Sequence, residues 1–212
     1  MVSFSPSLFC SPFVVLFVCR YVSTDEVYGE NTEASGAFHE SYVLSPQNPY
    51  AASKAAGEMF ARSYFHSYKM PIIITRGNNT FGPHQFPEKL IPKFISLISA
   101  GKKCCLHGDG SNMRSFVFCE DVAEAFDTIL HKGVVGETYN IGTKFEISNR
   151  DVTYHLLGLM RPDLKDKDSV IEYVRDRAIN DKRYWVDYNK IAALGWTPKT
   201  TFEDGLKKTI AW

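Results

Sequence analysis

The order of hydrophobic and polar positions along the chain predicts strands that alternate with helices. Residues 71–75 are apolar and mostly β-branched, which is typical of a parallel strand buried on both faces. The preceding stretch, from about residue 49 to residue 68, has helical spacing, with an apolar stripe formed by Ala55, Met59, Phe60 and Tyr64. A buried strand directly after such a helix indicates an α/β fold with a parallel sheet.

The same patterns predict the other elements. Strands are expected at residues 21–23, 104–107, 115–118, 138–141 and 170–174. Helices are expected at residues 89–100, 122–132 (capped by Asp121), 189–194 and 202–211, and from Ser148 or Asn149 to residue 160. Residues 30–48 and 76–83 are rich in turn formers and are predicted to be loops. These elements predict an α/β arrangement in the first half of the chain and a more mixed α+β arrangement in the second half.

Composition narrows the class of protein. The 212 residues carry 24 basic and 24 acidic side chains, and 44% are hydrophobic, as in an ordinary globular protein. A zero net charge gives no electrostatic reason to expect nucleic acid or a membrane surface as a partner. The five cysteines show no Cys-x-x-Cys spacing and the six histidines no ligand spacing, so we expect no disulfide framework, no metal and a reducing cytoplasm.

The first 20 residues do not fit the rest of the pattern. Residues 8–19 are apolar, but twelve residues are too few to span a bilayer. They could form the core of a signal peptide, although residues 1–7 carry no positive side chain. Alternatively, residues 13–18 form a buried strand. The sequence alone leaves both interpretations open.

Tyr50 and Lys54 are the first candidates for chemistry. Four residues apart on the predicted helix, they project from one face, about one turn from each other. An ammonium group favours the phenolate, so Lys54 is expected to lower the pKa of Tyr50. A tyrosine tuned in this way can accept a proton from a sugar hydroxyl.

Thr24, Asp25 and Glu26 follow the predicted strand that ends at Ser23. The carboxyl ends of parallel strands form the edge at which open α/β sheets bind ligands. Adjacent carboxyl groups in one cleft titrate apart, so that one can act as an acid and the other as a base. The alternative is that Asp25 and Glu26 only cap a solvated loop.

Together, the run from Ser23 to Gly29 and the Tyr50-x-x-x-Lys54 helix resemble the extended short-chain dehydrogenase/reductase family. The Thr-Asp-Glu triplet narrows this resemblance to the dTDP-glucose 4,6-dehydratases. The resemblance implies that Tyr50 and Lys54 serve hydride transfer at C4 of a glucose, with Thr24 orienting its hydroxyl. It further implies that Glu26 removes the C5 proton and that Asp25 protonates the departing C6 hydroxyl.

The same resemblance extends to the substrate side. Residues 78–92 resemble the segment that grips the nucleotide diphosphate, with Asn79 and Lys89 as contacts. Arg114 and Arg177 are the expected diphosphate clamps, because a guanidinium fork matches phosphate oxygens. Arg177 stands in Asp-Arg-Ala, where the family has Asp-Arg-Pro. The resemblance also implies a homodimer through the Tyr50–Lys54 helix, with apolar surface from Phe60, Tyr64 and Phe65.

The implied fold is α/β: a partial Rossmann-type, doubly wound parallel sheet with a smaller mixed α+β substrate-binding portion. Residues 1–20 are atypical, 21–105 would be the C-terminal part of the dinucleotide-binding fold, and 106–212 mainly the nucleotide-sugar portion, interleaved with it. The implied cofactor is NAD, held in part by Ser23, Tyr50 and Lys54.

No glycine-rich phosphate-binding motif occurs in the 212 residues. The sequence therefore resembles the C-terminal two-thirds of a dehydratase and is expected to bind NAD weakly at best. Another nucleotide-sugar epimerase or decarboxylase of the family, and a non-catalytic truncated form, remain open.

Overall fold

The computed structural model describes residues 18–32, 35–177 and 180–212. Eight strands alternate with six α-helices. The strands are β1 (Cys19–Thr24), β2 (Ile72–Gly77), β3 (Asn79–Phe81), β4 (Cys104–His107), β5 (Met113–Phe118), β6 (Thr138–Ile141), β7 (Glu146–Ser148) and β8 (Ile171–Val174). The helices are α1 (Pro49–Tyr68), α2 (Leu90–Ser99), α3 (Cys119–Lys132), α4 (Asn149–Met160), α5 (Asn189–Ala192) and α6 (Phe202–Ala211), with short 3₁₀ turns at Asp25–Tyr28 and Asp168–Val170.

The first sheet has the order β1-β2-β6, and all of its strands run parallel. Strand β2 lies in the middle and is buried except at its last residue. The register pairs Thr24 with Gly77 and Gly77 with Ile141, so the three strands end at one level. Whatever follows those ends along the chain is therefore brought to one edge of the sheet.

Helix α1 crosses from β1 to β2 and carries the Tyr-x-x-x-Lys pair. It begins at Pro49, whose fixed φ suits the first helical position, and ends where Lys69 adopts φ +55°. The helix lies close to the sheet at Gly57, where a Cβ would come within 2.0 Å of the Tyr21 hydroxyl. Of the predicted apolar stripe only Ala55 is buried; Met59, Phe60 and Tyr64 are 51–68% exposed.

The second half of the chain builds two smaller sheets, β3-β5-β7 and β4-β8. In the first of these β5 pairs parallel with β3 and antiparallel with β7, which makes this portion mixed. Helices α2, α4 and α6 supply apolar side chains to the largest core cluster, together with Phe81, Leu106 and Phe118. The α/β architecture with parallel sheets is therefore confirmed.

Three local expectations differ from the structure. The expected loop at residues 76–83 contains strand β3, because Asn79–Phe81 pairs with β5. Strand β7 was not anticipated, since three residues are too few to show alternation. Asp121 is not the cap of α3: it lies within the first turn, where its carboxylate accepts a hydrogen bond from the Thr200 amide.

The N-terminal expectations concern residues 8–19 and 13–18, most of which lie outside the described residues. No helix in the described part of the chain is long and apolar enough to cross a membrane. The division at residue 105 stays a prediction. Strands β2 and β6 come from either side of that boundary and pair with each other, so the two ranges share one sheet.

A buried ion pair connects α1 with β2. The Arg76 guanidinium donates from Nε and Nη2 to the two carboxylate oxygens of Glu58, at 2.9 and 2.6 Å, and the two side chains are 2% and 0% exposed. Arg76 Nη1 also donates to the Tyr28 hydroxyl at 2.8 Å, which in turn donates to Asn140 at 2.7 Å. The network joins the helix, the turn after β1 and strand β6.

We predict that Glu58→Gln destabilises the chain by about 3–5 kcal/mol, because it leaves the Arg76 charge buried without its partner. The measurement is the free energy of unfolding in urea. The matched control is Glu124→Gln, which removes an exposed ion pair with Lys199 and should cost at most about 1 kcal/mol. Equal losses for the two variants would contradict the structural role of the buried pair.

Candidate active site

The ends of β1, β2 and β6 border a cleft with a volume of about 330 Å³. Its walls are formed by residues from the turn after β1, the N-terminus of α1 and the segment after β2. Among them are Thr24, Asp25, Glu26, Tyr50 and Asn78. The residues expected to carry chemistry are thus brought together by the common register of the strands.

Asp25 is the most deeply buried carboxyl group of the cleft, with 5% of its surface exposed. Burial raises its pKa to about 6, and the neighbouring charge of Glu26 adds to this effect. Hydrogen bonds from Asn78 Nδ2, at 2.6 Å, and from the Thr24 hydroxyl, at 3.1 Å, oppose the shift without cancelling it. A carboxyl group of this kind can carry a proton near neutral pH.

Glu26 is only partly buried and faces the cleft beside Asp25. Its Oε2 accepts a hydrogen bond from Asn48 Nδ2 at 2.9 Å. Its backbone amide donates to the Thr24 hydroxyl oxygen at 3.3 Å, which starts the 3₁₀ turn. Two adjacent carboxyl groups therefore differ in burial and in hydrogen-bond partners, as an acid and a base require.

Tyr50 also lines the cleft and is 51% exposed. The expectation that Lys54 lowers its pKa is wrong for this structure. Burial raises the pKa of Tyr50, the charge of Glu26 adds to this, and a hydrogen bond with Thr24 opposes it. The Lys54 ammonium group lies 5.9 Å from the Tyr50 ring centre and donates instead to the Val22 carbonyl at 3.3 Å.

Ser23 is the second-last residue of β1 and lines the cleft. Its hydroxyl is buried, and it finds no hydrogen-bond partner within the described ranges 18–32, 35–177 and 180–212. A buried hydroxyl without a partner is costly, so this atom suits a bound polar group in the cleft. Ser23 and Tyr50 line the cleft, whereas Lys54 stands one helical turn from Tyr50 and does not line it.

A second cleft of about 170 Å³ continues from the first, and the two share Asn79, Gln85 and Lys89 in their walls. Arg114 and Arg177 line it as well. The structure therefore brings all four predicted substrate-binding residues into one cleft. Arg114 Nη1 donates to the Asp181 carbonyl at 2.8 Å and Nη2 to the Asn180 side chain at 3.0 Å, so the loop at residues 180–181 orients this guanidinium.

Two residues of the site were missed by sequence reasoning. Asn78 binds Asp25, and its own Oδ1 accepts from the Thr143 amide at 3.3 Å. Asn48 binds Glu26 and caps α1, its Oδ1 accepting from the Ala51 amide at 2.8 Å. The Asn48-Pro49 pair at a helix start was a usable capping signal, but no local pattern shows either contact with a carboxylate.

No group of histidine, cysteine, aspartate or glutamate side chains in the described ranges could hold a metal ion. The chemistry of the site rests on carboxyl, phenol, hydroxyl, amide and cationic groups. A Rossmann-type sheet with such a cleft at its strand ends is the arrangement of the nucleotide-sugar dehydratases and epimerases. Within this class, the chain belongs to the GDP-mannose 4,6 dehydratase family, whose model matches residues 17–209.

Comparisons with individual proteins agree with that family. The chain is 53% identical over 193 residues to a trifunctional UDP-glucose 4,6-dehydratase/UDP-4-keto-6-deoxy-D-glucose 3,5-epimerase/UDP-4-keto-L-rhamnose-reductase of Arabidopsis thaliana, covering 91% of this chain and 28% of that protein. It is 50% identical over 194 residues to the human dTDP-D-glucose 4,6-dehydratase, and the match covers 91% of this chain and 55% of that protein. The chain thus spans about half the length of the dTDP-D-glucose 4,6-dehydratases that it matches.

Among solved structures, a dTDP-glucose 4,6-dehydratase from Bacillus anthracis in complex with NAD superimposes with a TM-score of 0.85. Its sequence is 42% identical, and the match covers 92% of this chain and 61% of that chain. A UDP-glucuronic acid 4-epimerase from Bacillus cereus, in complex with UDP-glucuronic acid and NAD, superimposes with a TM-score of 0.83. Its sequence is 27% identical, and the match covers 91% of this chain and 60% of that chain. The expected resemblance is confirmed, and the backbone is shared with epimerases.

The raised pKa of Asp25 predicts a pH-dependent stability. The pKa of Asp25 is higher in the folded state than in the unfolded state. Burial of the carboxylate charge therefore lowers the free energy of unfolding very little below pH 4 and lowers it most above pH 6. Relative to Asp25→Asn, the wild-type free energy of unfolding should fall by about 2 kcal/mol between pH 4 and pH 7. Urea unfolding over this range measures it, with ¹³C NMR titration of the Asp25 carboxyl as a direct check. A titration midpoint near 4 would contradict the burial argument.

Proposed function

We propose that this chain supplies the catalytic and substrate-binding part of an NAD-dependent nucleotide-sugar 4,6-dehydratase that converts dTDP-glucose to dTDP-4-keto-6-deoxyglucose. The observation that carries the proposal is the pair Asp25 and Glu26 in the cleft that Tyr50 also lines. One carboxyl group is buried with a pKa of about 6, and its neighbour is more exposed. Elimination of water needs both an acid and a base beside the same sugar carbons.

The residues of the cleft fit the nicotinamide end of NAD. The Ser23 hydroxyl is buried without a partner in the described part of the chain, and Lys54 stands one helical turn from Tyr50 with its ammonium group 5.9 Å from the ring centres of Tyr21 and Tyr50. We assign Ser23, Tyr50 and Lys54 to this end of the cofactor. The chemistry that bound NAD supplies is a hydride acceptor for C4 and, later, a hydride donor for C6.

The protein groups then act in sequence. Thr24 orients the C4 hydroxyl, and Tyr50 takes its proton while C4 is oxidised to a ketone. The ketone acidifies the C5 hydrogen, which Glu26 removes as the base. Asp25 donates its proton to the departing C6 hydroxyl, which leaves as water. Because the pKa of Asp25 is about 6, about a tenth of the molecules carry that proton at pH 7, far more than for an aspartate with an ordinary pKa.

The second cleft is suited to the nucleotide diphosphate. Asn79 and Lys89 stand where the two clefts join, and Arg114 and Arg177 line the far part. Cationic side chains bind phosphate oxygens strongly, and arginine can do so through two parallel hydrogen bonds. We therefore assign these four residues to the nucleotide. Among the relatives, the human protein is named for a dTDP-linked glucose and the Arabidopsis protein for a UDP-linked one.

An epimerase is the main alternative, since an epimerase backbone superimposes nearly as well. Reversal of configuration at C4 through a ketone does not require a base at C5. The two carboxyl groups beside Tyr50 favour the dehydratase, because an epimerase mechanism gives neither of them a role.

The four cysteines in the described residues are all free, which supports a reducing, cytoplasmic location.

The decisive experiment uses a chimeric chain in which the N-terminal half of the human relative precedes this sequence. In this background Glu26→Gln should leave C4 oxidation intact and slow C5 proton removal by about 10²–10⁴-fold. Bound NADH should accumulate on mixing with dTDP-glucose, visible as reduced-nicotinamide absorbance. The control variant Tyr50→Phe should block the first hydride transfer, so that no NADH appears.

Normal turnover of Glu26→Gln, with solvent deuterium still entering C5, would remove Glu26 as the base. The dehydratase assignment would then lose its main support in favour of the epimerase. A chimera that binds dTDP-glucose but never reduces NAD would favour a non-catalytic role.

We further propose that the chain dimerises through the exposed face of α1. Phe60 is 68% exposed and Tyr64 51%, and Met59 and Tyr68 extend the same apolar surface. A contiguous apolar surface of this kind is typical of a protein interface. Phe65, also expected in the contact, is partly buried and lies close to Gly136 of the same chain.

Light scattering tests this proposal. The wild-type chain should show twice its mass of 24.0 kDa at high concentration, and Phe60→Glu should shift it to the monomer by placing a charge in the apolar contact. Val43→Glu is the matched control, because Val43 is 78% exposed and lies outside α1. A wild-type chain that stays monomeric at high concentration would exclude the dimer.

A further inference from the structure

We infer that Asn48 is a positioning residue for the Glu26 carboxylate, a role that rests on the function proposed above. Asn48 lies directly before α1, one residue ahead of Pro49 and two ahead of Tyr50. The Asn48 side chain holds the carboxylate of Glu26, the proposed base, at a fixed place relative to α1, the helix that carries Tyr50.

Both ends of the Asn48 amide are occupied. Oδ1 accepts a hydrogen bond from the Ala51 amide at 2.8 Å, and Nδ2 donates to Glu26 Oε2 at 2.9 Å. A backbone amide can only donate and a carboxylate can only accept, so the two contacts determine which way the side-chain amide points. Asn48 is therefore both the helix cap and a donor to the base.

The segment before Asn48 is itself docked on the turn that carries Glu26. The Ser45 amide donates to the Val27 carbonyl at 2.9 Å. Gly29 adopts φ +83° against this segment, and a Cβ there would meet the Ser45 carbonyl oxygen at 2.5 Å. The close approach made possible by this glycine brings the Asn48 side chain within reach of Glu26.

The contact leaves one oxygen of the base available. No hydrogen bond to Glu26 Oε1 is found across residues 18–32, 35–177 and 180–212. Holding Oε2 restricts rotation of the carboxylate, so Oε1 can be kept in the direction of the sugar. A neutral amide achieves this without placing a positive charge beside the base.

Substitution at Asn48 can separate the two roles. Asn, Ser and Asp are about equally good helix caps, so Asn48→Ser and Asn48→Asp both keep the acceptor for Ala51. Ser lacks the donor to Glu26, and Asp replaces it with a carboxylate that repels Glu26. A cap alone predicts equal activity for the two variants and the wild type, whereas positioning predicts that activity falls from Asn to Ser to Asp.

The expected result in the chimeric chain is a fall in kcat of about 10- to 100-fold for Asn48→Ser and a larger fall for Asn48→Asp. KM for dTDP-glucose should change little, because Asn48 lines neither of the two clefts. NADH should accumulate as in Glu26→Gln, since C4 oxidation precedes the impaired step. In a Glu26→Gln background, Asn48→Ser should cause no further loss of C5 proton exchange.

Ser148→Ala is the matched control. It removes another cap, in which Ser148 Oγ accepts from the Asp151 amide at 3.0 Å, far along the chain from the proposed base. It should lower Tm by about 2–4 °C without NADH accumulation. Independently of activity, ¹³C NMR of the 212-residue chain should show the Glu26 carboxyl resonance displaced in Asn48→Ser, with the Ala51 amide still protected from exchange.

Full turnover of both Asn48 variants, alongside a loss in Glu26→Gln, would overturn the positioning role while leaving the proposed function intact. If Glu26→Gln itself turned over normally, the proposed function would fail instead. The NMR measurement would then decide: a displaced Glu26 resonance supports the contact, and an unchanged one overturns it.

Discussion

The buried ion pair between Arg76 and Glu58 is the interaction on which the rest of the site depends. Burial disfavours the charged guanidinium, but the hydrogen bonds and charge of Glu58 and the contact with Tyr28 outweigh this, so the pKa of Arg76 is raised and the guanidinium stays charged. Neither charge can leave its partner without a large cost in free energy. The angle and depth of α1 on the sheet are therefore restricted to those that satisfy this geometry.

From that pair the constraint spreads to the groups that line the cleft. Arg76 also binds the Tyr28 hydroxyl, at the end of the 3₁₀ turn that begins with Asp25. Burial raises the pKa of Tyr28 to about 12, so this hydroxyl stays protonated and can donate to Asn140 on β6. One network thus holds the helix with Tyr50 and the turn with Glu26, and Asn48 joins the two again at the edge of the cleft.

Neutral amide side chains orient both carboxyl groups. Asn78 donates to Asp25, and Asn48 donates to Glu26. An arginine or lysine in either place would favour the charged carboxylate, and beside Asp25 it would oppose proton uptake. With amides, burial decides the protonation of Asp25, while the more exposed Glu26 stays accessible to substrate. The difference between the two carboxyl groups therefore arises from depth in the fold more than from residue type.

The sequence by itself determined the α/β class, the bounds of α1, β4, β6 and α6, and which residues are the candidates for chemistry. These features depend on local periodicity, on capping and turn residues, and on short motifs such as Thr24-Asp25-Glu26. Only the tertiary structure decided that Asn48 and Asn78 contact the carboxyl groups, that the pKa of Tyr50 is raised, and that Met59 and Phe60 face outward. Each of these depends on burial and on contacts between residues distant in the chain, for which a single sequence carries no local signal.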